Sequence, residues 1–156
     1  MPRVKHYFEK GQFYHLTTRT LDGWQAFASD TVKRKVVDAL AFYRERGDWR
    51  VHGFVVMSNH VHVVVSQVSR VLSYVVRDFK KWIWRQLLSP GHGDLWERRF
   101  DDNAIQHQAE MVEVIQYIHR NPVRAGVVRR PEDYFWSSAR NYAGLTPVAM
   151  EVDKEW

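Results

Sequence analysis

Apolar positions along this chain alternate between short β-type runs and helical stripes, in an order that outlines one fold. Phe13-Tyr14-His15-Leu16-Thr17-Thr18 is rich in β-formers and predicts a first strand. Leu21-Asp22-Gly23 predicts a turn. Ser29-Asp30 predicts a helix start, after which Val32, Val36, Val37, Leu40, Ala41 and Tyr43 approximate one helical face out to about Arg46, where Gly47-Asp48 stops the helix. Residues 49–57 and 60–66 flank the turn signal Ser58-Asn59 and predict a tight hairpin. A second helix is expected over about 71–88, followed by the loop Ser89-Pro90-Gly91-His92-Gly93-Asp94. Residues 95–105 lead into a fourth strand. A third helix is expected over about 109–119, with Met111, Val114, Ile115 and Ile118 apolar, limited by Pro122 because the residue before a proline is biased away from helix. The order strand–helix–strand–strand–helix–strand predicts an α+β fold: a ferredoxin-like antiparallel sheet with helices on one face and a further helix packed near it.

Composition narrows the class of partner. The 156 residues fit one domain, with no repeat, low-complexity tract or linker. The formal charge of +5 makes polyanions natural partners. There are no cysteines, so disulfides and thiolate metal sites are excluded, and a metal would need His, carboxylate, amide or water. Met1-Pro2-Arg3-Val4-Lys5-His6 does not read as a signal peptide and no apolar run approaches membrane-spanning length, so a cytoplasmic, nucleoid-associated protein with no membrane partner is expected.

Candidate chemistry centres on Val56-Met57-Ser58-Asn59-His60-Val61-His62-Val63-Val64. Side chains on a strand alternate faces, so His60 and His62 point to one side and Val61 to the other. Such a pair is more often ordinary surface or hydrogen-bonded core, but the turn at Ser58-Asn59 sets this one on a rigid scaffold, where it suits two ligands of one divalent ion. On the third helix Tyr117 and Asn121 are four residues apart and share a face. A tyrosine hydroxyl there is either core with a wet tip or a nucleophile. The Asn121 amide oxygen could join His60 and His62, a donor set suited to Mg²⁺ or Mn²⁺. His119 is expected to serve packing or a hydrogen bond, while His52, His92 and His107 have no useful partner spacing.

Two segments, Val56-Met57-Ser58-Asn59-His60-Val61-His62 and Tyr117-Ile118-His119-Arg120-Asn121-Pro122-Val123-Arg124-Ala125-Gly126, resemble the two signatures of single-tyrosine HUH (IS200-like) transposases, in particular the REP-associated tyrosine transposases. Similarity extends over residues 13–19, 95–100 and 133–139, so it spans about 12–143 and leaves a tail, 144–156. Ser58 stands where many relatives have proline, and Asn121 where insertion-sequence relatives commonly have glutamine. The resemblance implies a ferredoxin-like core, a divalent ion on His60 and His62 completed by Asn121, and attack by Tyr117 on a DNA phosphodiester. It further implies cleavage and joining of single-stranded DNA beside REP-like hairpin repeats through a 5′-phosphotyrosine. No nucleotide cofactor is expected, and the sequence has no Gly-rich phosphate loop.

DNA contacts are expected where cations interleave with aromatics, because cations track phosphates while rings stack on unpaired bases. These are Arg77, Lys80, Lys81 and Arg85 beside Trp82 and Trp84, and Arg98 and Arg99 between Trp96 and Phe100. Given the resemblance, Arg120, Arg124, Arg129 and Arg130 are candidates for a hairpin stem, and Arg3, Lys5 and His6 for guide bases. A monomer is expected rather than the helix-exchanging dimer of insertion-sequence relatives. The alternatives are a catalytically silent nucleic-acid-binding regulator, a metal-dependent hydrolase in which water attacks, and a purely structural module.

Overall fold

A computed structural model describes residues 11–156; Arg3, Lys5 and His6 lie outside the described residues. Four strands, β1 (Phe13–Arg19), β2 (Trp49–Val56), β3 (His60–Gln67) and β4 (Asp101–Ile105), form one sheet in the order β2-β3-β1-β4. Every pairing is antiparallel. With α1 (Asp30–Glu45) after β1 and α2 (Leu72–Leu87) after β3, this is the expected ferredoxin-like α+β arrangement. Among the described residues no helix is long and apolar enough to cross a membrane.

Local signals explain the element ends. Ser29 caps α1, its hydroxyl accepting from the Val32 N–H at 3.2 Å. At the other end Gly47 takes a φ of +81°, and the Gly47 and Asp48 N–H groups donate back to Arg44 and Tyr43 carbonyls, closing the helix. The Met57 N–H donates to the His60 carbonyl, so Ser58 and Asn59 are the two tip residues of the β2–β3 hairpin. Thr20 and Phe27 hold that tip through their N–H groups, which donate to the Asn59 and Ser58 carbonyls.

Alternation along the strands divides the sheet into two unlike faces. Trp49, Phe54, Val61, Val63, Val65, Tyr14 and Leu16 share one face and are buried. Trp49 ties it to both covering helices: its indole N–H donates to the Leu40 carbonyl of α1, and its ring lies 6.2 Å from Phe79 of α2. The other face carries His15, Thr17, His60 and His62. The third long helix, α3 (Gln108–Arg124), packs there against β2. Gly53 permits this approach, since a Cβ at that position would collide with Ile115 of α3. The expectation of helices on one face therefore holds for α1 and α2, while α3 covers the opposite face.

The expected end of α3 near residue 119 is corrected. The helix runs through Pro122 to Arg124. Proline removes one N–H, but helical bonding resumes when the Ala125 N–H donates to the Asn121 carbonyl at 3.0 Å. Pro122 is itself buried, so packing outweighs the local bias. Gly126, at φ +74°, then closes the helix: the Val127 N–H donates to the Pro122 carbonyl and the Gly126 N–H to that of Val123. Asn121 consequently stays one helical turn from Tyr117 on the same face.

Beyond α3 the chain returns along the free edge of β2. Val56 N–H donates to the Trp136 carbonyl, Ser138 N–H to the Phe54 carbonyl, and Asp153 N–H to the Val51 carbonyl. Asp153 also pairs with Arg44 at 3.0 Å. A short helix, α4 (Ala139–Tyr142), lies within this return. The edge is thereby protected from pairing with another chain.

Candidate nucleic-acid-processing site

The site forms where β1, β3 and α3 meet. The register sets Thr17 opposite His62 and Arg19 opposite His60, so all four side chains belong to the α3 face. His60 and His62 rings lie 5.0 Å apart, nearly perpendicular at 89°. Tyr117 projects from α3 with its ring 6.1 Å from His62 and 6.4 Å from His15, and remains half exposed at 52%. Its ring carries the Arg124 guanidinium at 4.3 Å, and Arg124 also donates to the Tyr117 carbonyl at 2.9 Å. A solvent-accessible phenol backed by imidazoles and one cation is thus presented to an incoming anionic group.

Both candidate ligand imidazoles have their Nδ1 held by neighbouring side chains. His60 Nδ1 lies 2.7 Å from Asn59 Oδ1; since a carboxamide oxygen only accepts, Nδ1 carries the proton and Nε2 keeps a lone pair. That Nε2 lies 3.3 Å from the Asn121 amide nitrogen. His62 Nδ1 lies 2.9 Å from His15 Nε2 and 3.0 Å from Thr17 Oγ1. Burial, reinforced by the charges of His15, His60, Arg19 and Arg124, lowers His62 to about 3. Burial also lowers His60 and His15, with Arg19 adding to both and Asp101 partly opposing at His15. All three imidazoles are neutral near pH 7, the form that binds metals.

The donor set fits a divalent cation. Among the described residues no group of three or more His, Cys, Asp or Glu side chains is arranged to hold a metal. The candidate set is instead two neutral imidazoles and one amide. Asn121 now donates N–H to the His60 lone pair; with its amide turned over, its oxygen faces that lone pair, an arrangement a cation between them favours. His15 is no third ligand, because its Nε2 is turned onto His62.

The expected DNA contacts divide. Arg98 and Arg99 are exposed on the loop that joins the sheet at the site end, where Trp96 bridges to Thr20 and the Glu97 N–H donates to the Arg19 carbonyl. Arg120 and Arg124 are exposed on α3 itself. By contrast Arg77, Lys80, Lys81 and Arg85 lie on α2, across the sheet from Tyr117. Arg77 pairs with Asp78 at 3.1 Å, and Lys80 donates to the Glu97 carbonyl at 3.0 Å beneath the Trp96 ring. Arg130 pairs with Asp133 at 3.1 Å.

His119 and His52 behave as structure. His119 is buried, 2.7 Å from Ser138 Oγ, as expected of a packing residue. His52 bridges Ser66 Oγ and the Asp153 carbonyl. Sequence reasoning missed His15, Thr17 and Arg19 as members of the site. The available signal was their shared strand parity; only the register reveals that this parity faces His60 and His62. Arg19 reaches Asp101 at 2.6 Å on the neighbouring strand.

Comparison with known proteins agrees with this fold. The family "Transposase IS200 like" matches residues 10–121. No curated protein matches. A REP-associated tyrosine transposase, solved bound to a REP hairpin, superposes with a TM-score of 0.76 at 21% identity, covering 99% of this chain and 94% of that one. A putative transposase from Deinococcus radiodurans superposes with a TM-score of 0.50 at 20% identity, covering 77% of this chain and 97% of the other. These structures share the fold, and with the family match over most of the sequence, the chain belongs to the IS200-like transposases.

Proposed function

We propose that this protein cuts and rejoins single-stranded DNA beside hairpin repeats by transesterification at Tyr117. The observation that carries the reading is the meeting of Tyr117 with His62, and of Asn121 with His60, from one turn of a single helix. Family membership and the solved relative's REP hairpin support DNA as substrate and a hairpin as its recognition feature.

The Tyr117 oxygen attacks the phosphorus in line, forming a P–O bond to tyrosine while the bond to the 3′ oxygen breaks. The phenolic proton is balanced by the proton gained at the leaving 3′-OH. One phosphodiester replaces another, so the 5′-phosphotyrosine can be attacked by a second 3′-OH and the strand rejoined without a nucleotide cofactor. His60, His62 and Asn121 would hold Mg²⁺ or Mn²⁺, which would polarise a non-bridging phosphoryl oxygen. Asn59 fixes the His60 ring, and Arg124 steadies the Tyr117 ring and adds positive potential. Arg98, Arg99 and Arg120 would track the strand's phosphates. The Tyr117 ring lies beside His62 of its own chain, a placement that supports action as a monomer; a DNA substrate puts the protein in the cytoplasm at the nucleoid.

A denaturing gel tests the reading. Labelled single-stranded DNA carrying a repeat hairpin should form a covalent adduct with Mg²⁺ or Mn²⁺, none with chelator, and none with Tyr117→Phe or His60→Ala. Cleavage that survives Tyr117→Phe without an adduct would replace it with hydrolysis by water. Binding without cleavage would leave a silent regulator.

A further inference from the structure

The β1 residue His15, half-buried, contacts a candidate ligand. His62 has two ring nitrogens and can offer only one lone pair when neutral. To offer Nε2, its Nδ1 must carry the proton and donate it. The groups at that nitrogen are His15 Nε2 at 2.9 Å and Thr17 Oγ1 at 3.0 Å, with Thr17 buried beneath them. His15 Nε2 and Thr17 Oγ1 are themselves 3.5 Å apart, so the three groups form one compact cluster. The cluster is built by strand register: His15 and Thr17 are two apart on β1, and Thr17 is opposite His62.

We infer that His15, assisted by Thr17, is a positioning residue that accepts the Nδ1 proton of His62 and thereby fixes the tautomer and ring angle that present His62 Nε2 to a divalent ion. His15 then does for His62 what Asn59 does for His60, so each candidate ligand is oriented by a neighbouring side chain, His62 from β1 and His60 from the hairpin tip. The inference rests on the reading of His60, His62 and Asn121 as a metal site. Partners of this kind orient metal-bound histidines, and their loss typically weakens binding about 10–100-fold.

Two readouts on the full chain separate the inference from that reading. The first uses metal-free protein labelled with ¹⁵N-histidine. His62 should be protonated at Nδ1 in the wild type and shift toward the Nε2–H form in His15→Phe. The second is Mn²⁺ affinity by calorimetry or electron paramagnetic resonance. It should fall 10–100-fold in His15→Phe and recover largely in His15→Gln, whose amide oxygen reaches about where Nε2 stood, but not in the shorter His15→Asn. Thr17→Val should show a smaller loss. A wild type that binds no Mn²⁺ would overturn the metal site, leaving the tautomer result to judge the His15–His62 bond. A wild type that binds Mn²⁺ while His15→Phe binds equally well, or keeps the same His62 tautomer, would overturn the role of His15. Circular dichroism on each variant separates either result from unfolding.

Discussion

The two faces of the sheet are made by the same strands and do opposite work. On β3, Val61, Val63 and Val65 point into an apolar layer closed by α1 and α2, while His60 and His62 point toward α3. The first face excludes water and carries stability. The second buries polar rings that are held only because each finds a partner: Asn59 and Asn121 for His60, His15 and Thr17 for His62. A two-residue period therefore separates the α1–α2 core from the candidate ligands within one strand, although Val64, on the histidine side, is itself buried on the α3 face. Substitutions at Val61, Val63 and Val65 should report on stability, and those at His60 and His62 on chemistry.

The strongest test of that division is Phe54→Ala. Phe54 is fully buried on the apolar face, and its truncation should cost about 3–5 kcal/mol in urea unfolding. His60→Ala on the opposite face should change stability by no more than about 1 kcal/mol while abolishing cleavage. Equal stability losses for the two would break the comparison.

Acid should expose the liability of the polar face. His62 is lowered to about 3 and His119 to about 4, both chiefly by burial, and His15, His52 and His60 are lowered for the same first reason. The folded state resists protons that the unfolded chain accepts near 6.5, so this stability is complete above pH 6.5 and is lost as pH falls toward the folded values. His119 alone accounts for roughly 3 kcal/mol by pH 4, at about 1.4 kcal/mol per unit. Urea midpoints measured from pH 7 to pH 4 should drop accordingly, and a flat profile would contradict the burial of neutral imidazoles.

A smaller effect distinguishes the two sets of cations. Replacing Arg98 and Arg99 with alanine should weaken single-stranded DNA binding and flatten its salt dependence, by about 0.7 in log–log slope per lost phosphate contact. Lys81→Ala with Arg85→Ala, across the sheet, should do less. The reverse order, measured by fluorescence anisotropy over a salt series, would move the DNA path to the α2 side.

Much of the site was legible because it lies in local periodicities. Strand alternation gave His60 and His62 a common face, and helical spacing did the same for Tyr117 and Asn121. The hairpin tip was legible from Ser58-Asn59. What was hidden depends on tertiary pairing. His15 becomes part of the site only through the β1–β3 register, which no single segment encodes. The extension of α3 past Pro122 depends on packing of a buried proline. The α2 cations resembled the Arg98–Arg99 pair in sequence, and only the placement of α2 on the opposite face separates them. Lys80 differs from its α2 neighbours in donating to the Glu97 carbonyl, beside Arg98.

The most direct measurement is the identity of the residue that becomes attached to DNA. Protein incubated with hairpin-bearing single-stranded DNA and Mn²⁺, then digested with nuclease and protease, can be mapped by mass spectrometry. The account predicts a 5′-phosphonucleotide on the peptide containing Tyr117 and on no other tyrosine. Cleaved DNA with an unmodified Tyr117, or an adduct on a different residue, would contradict it.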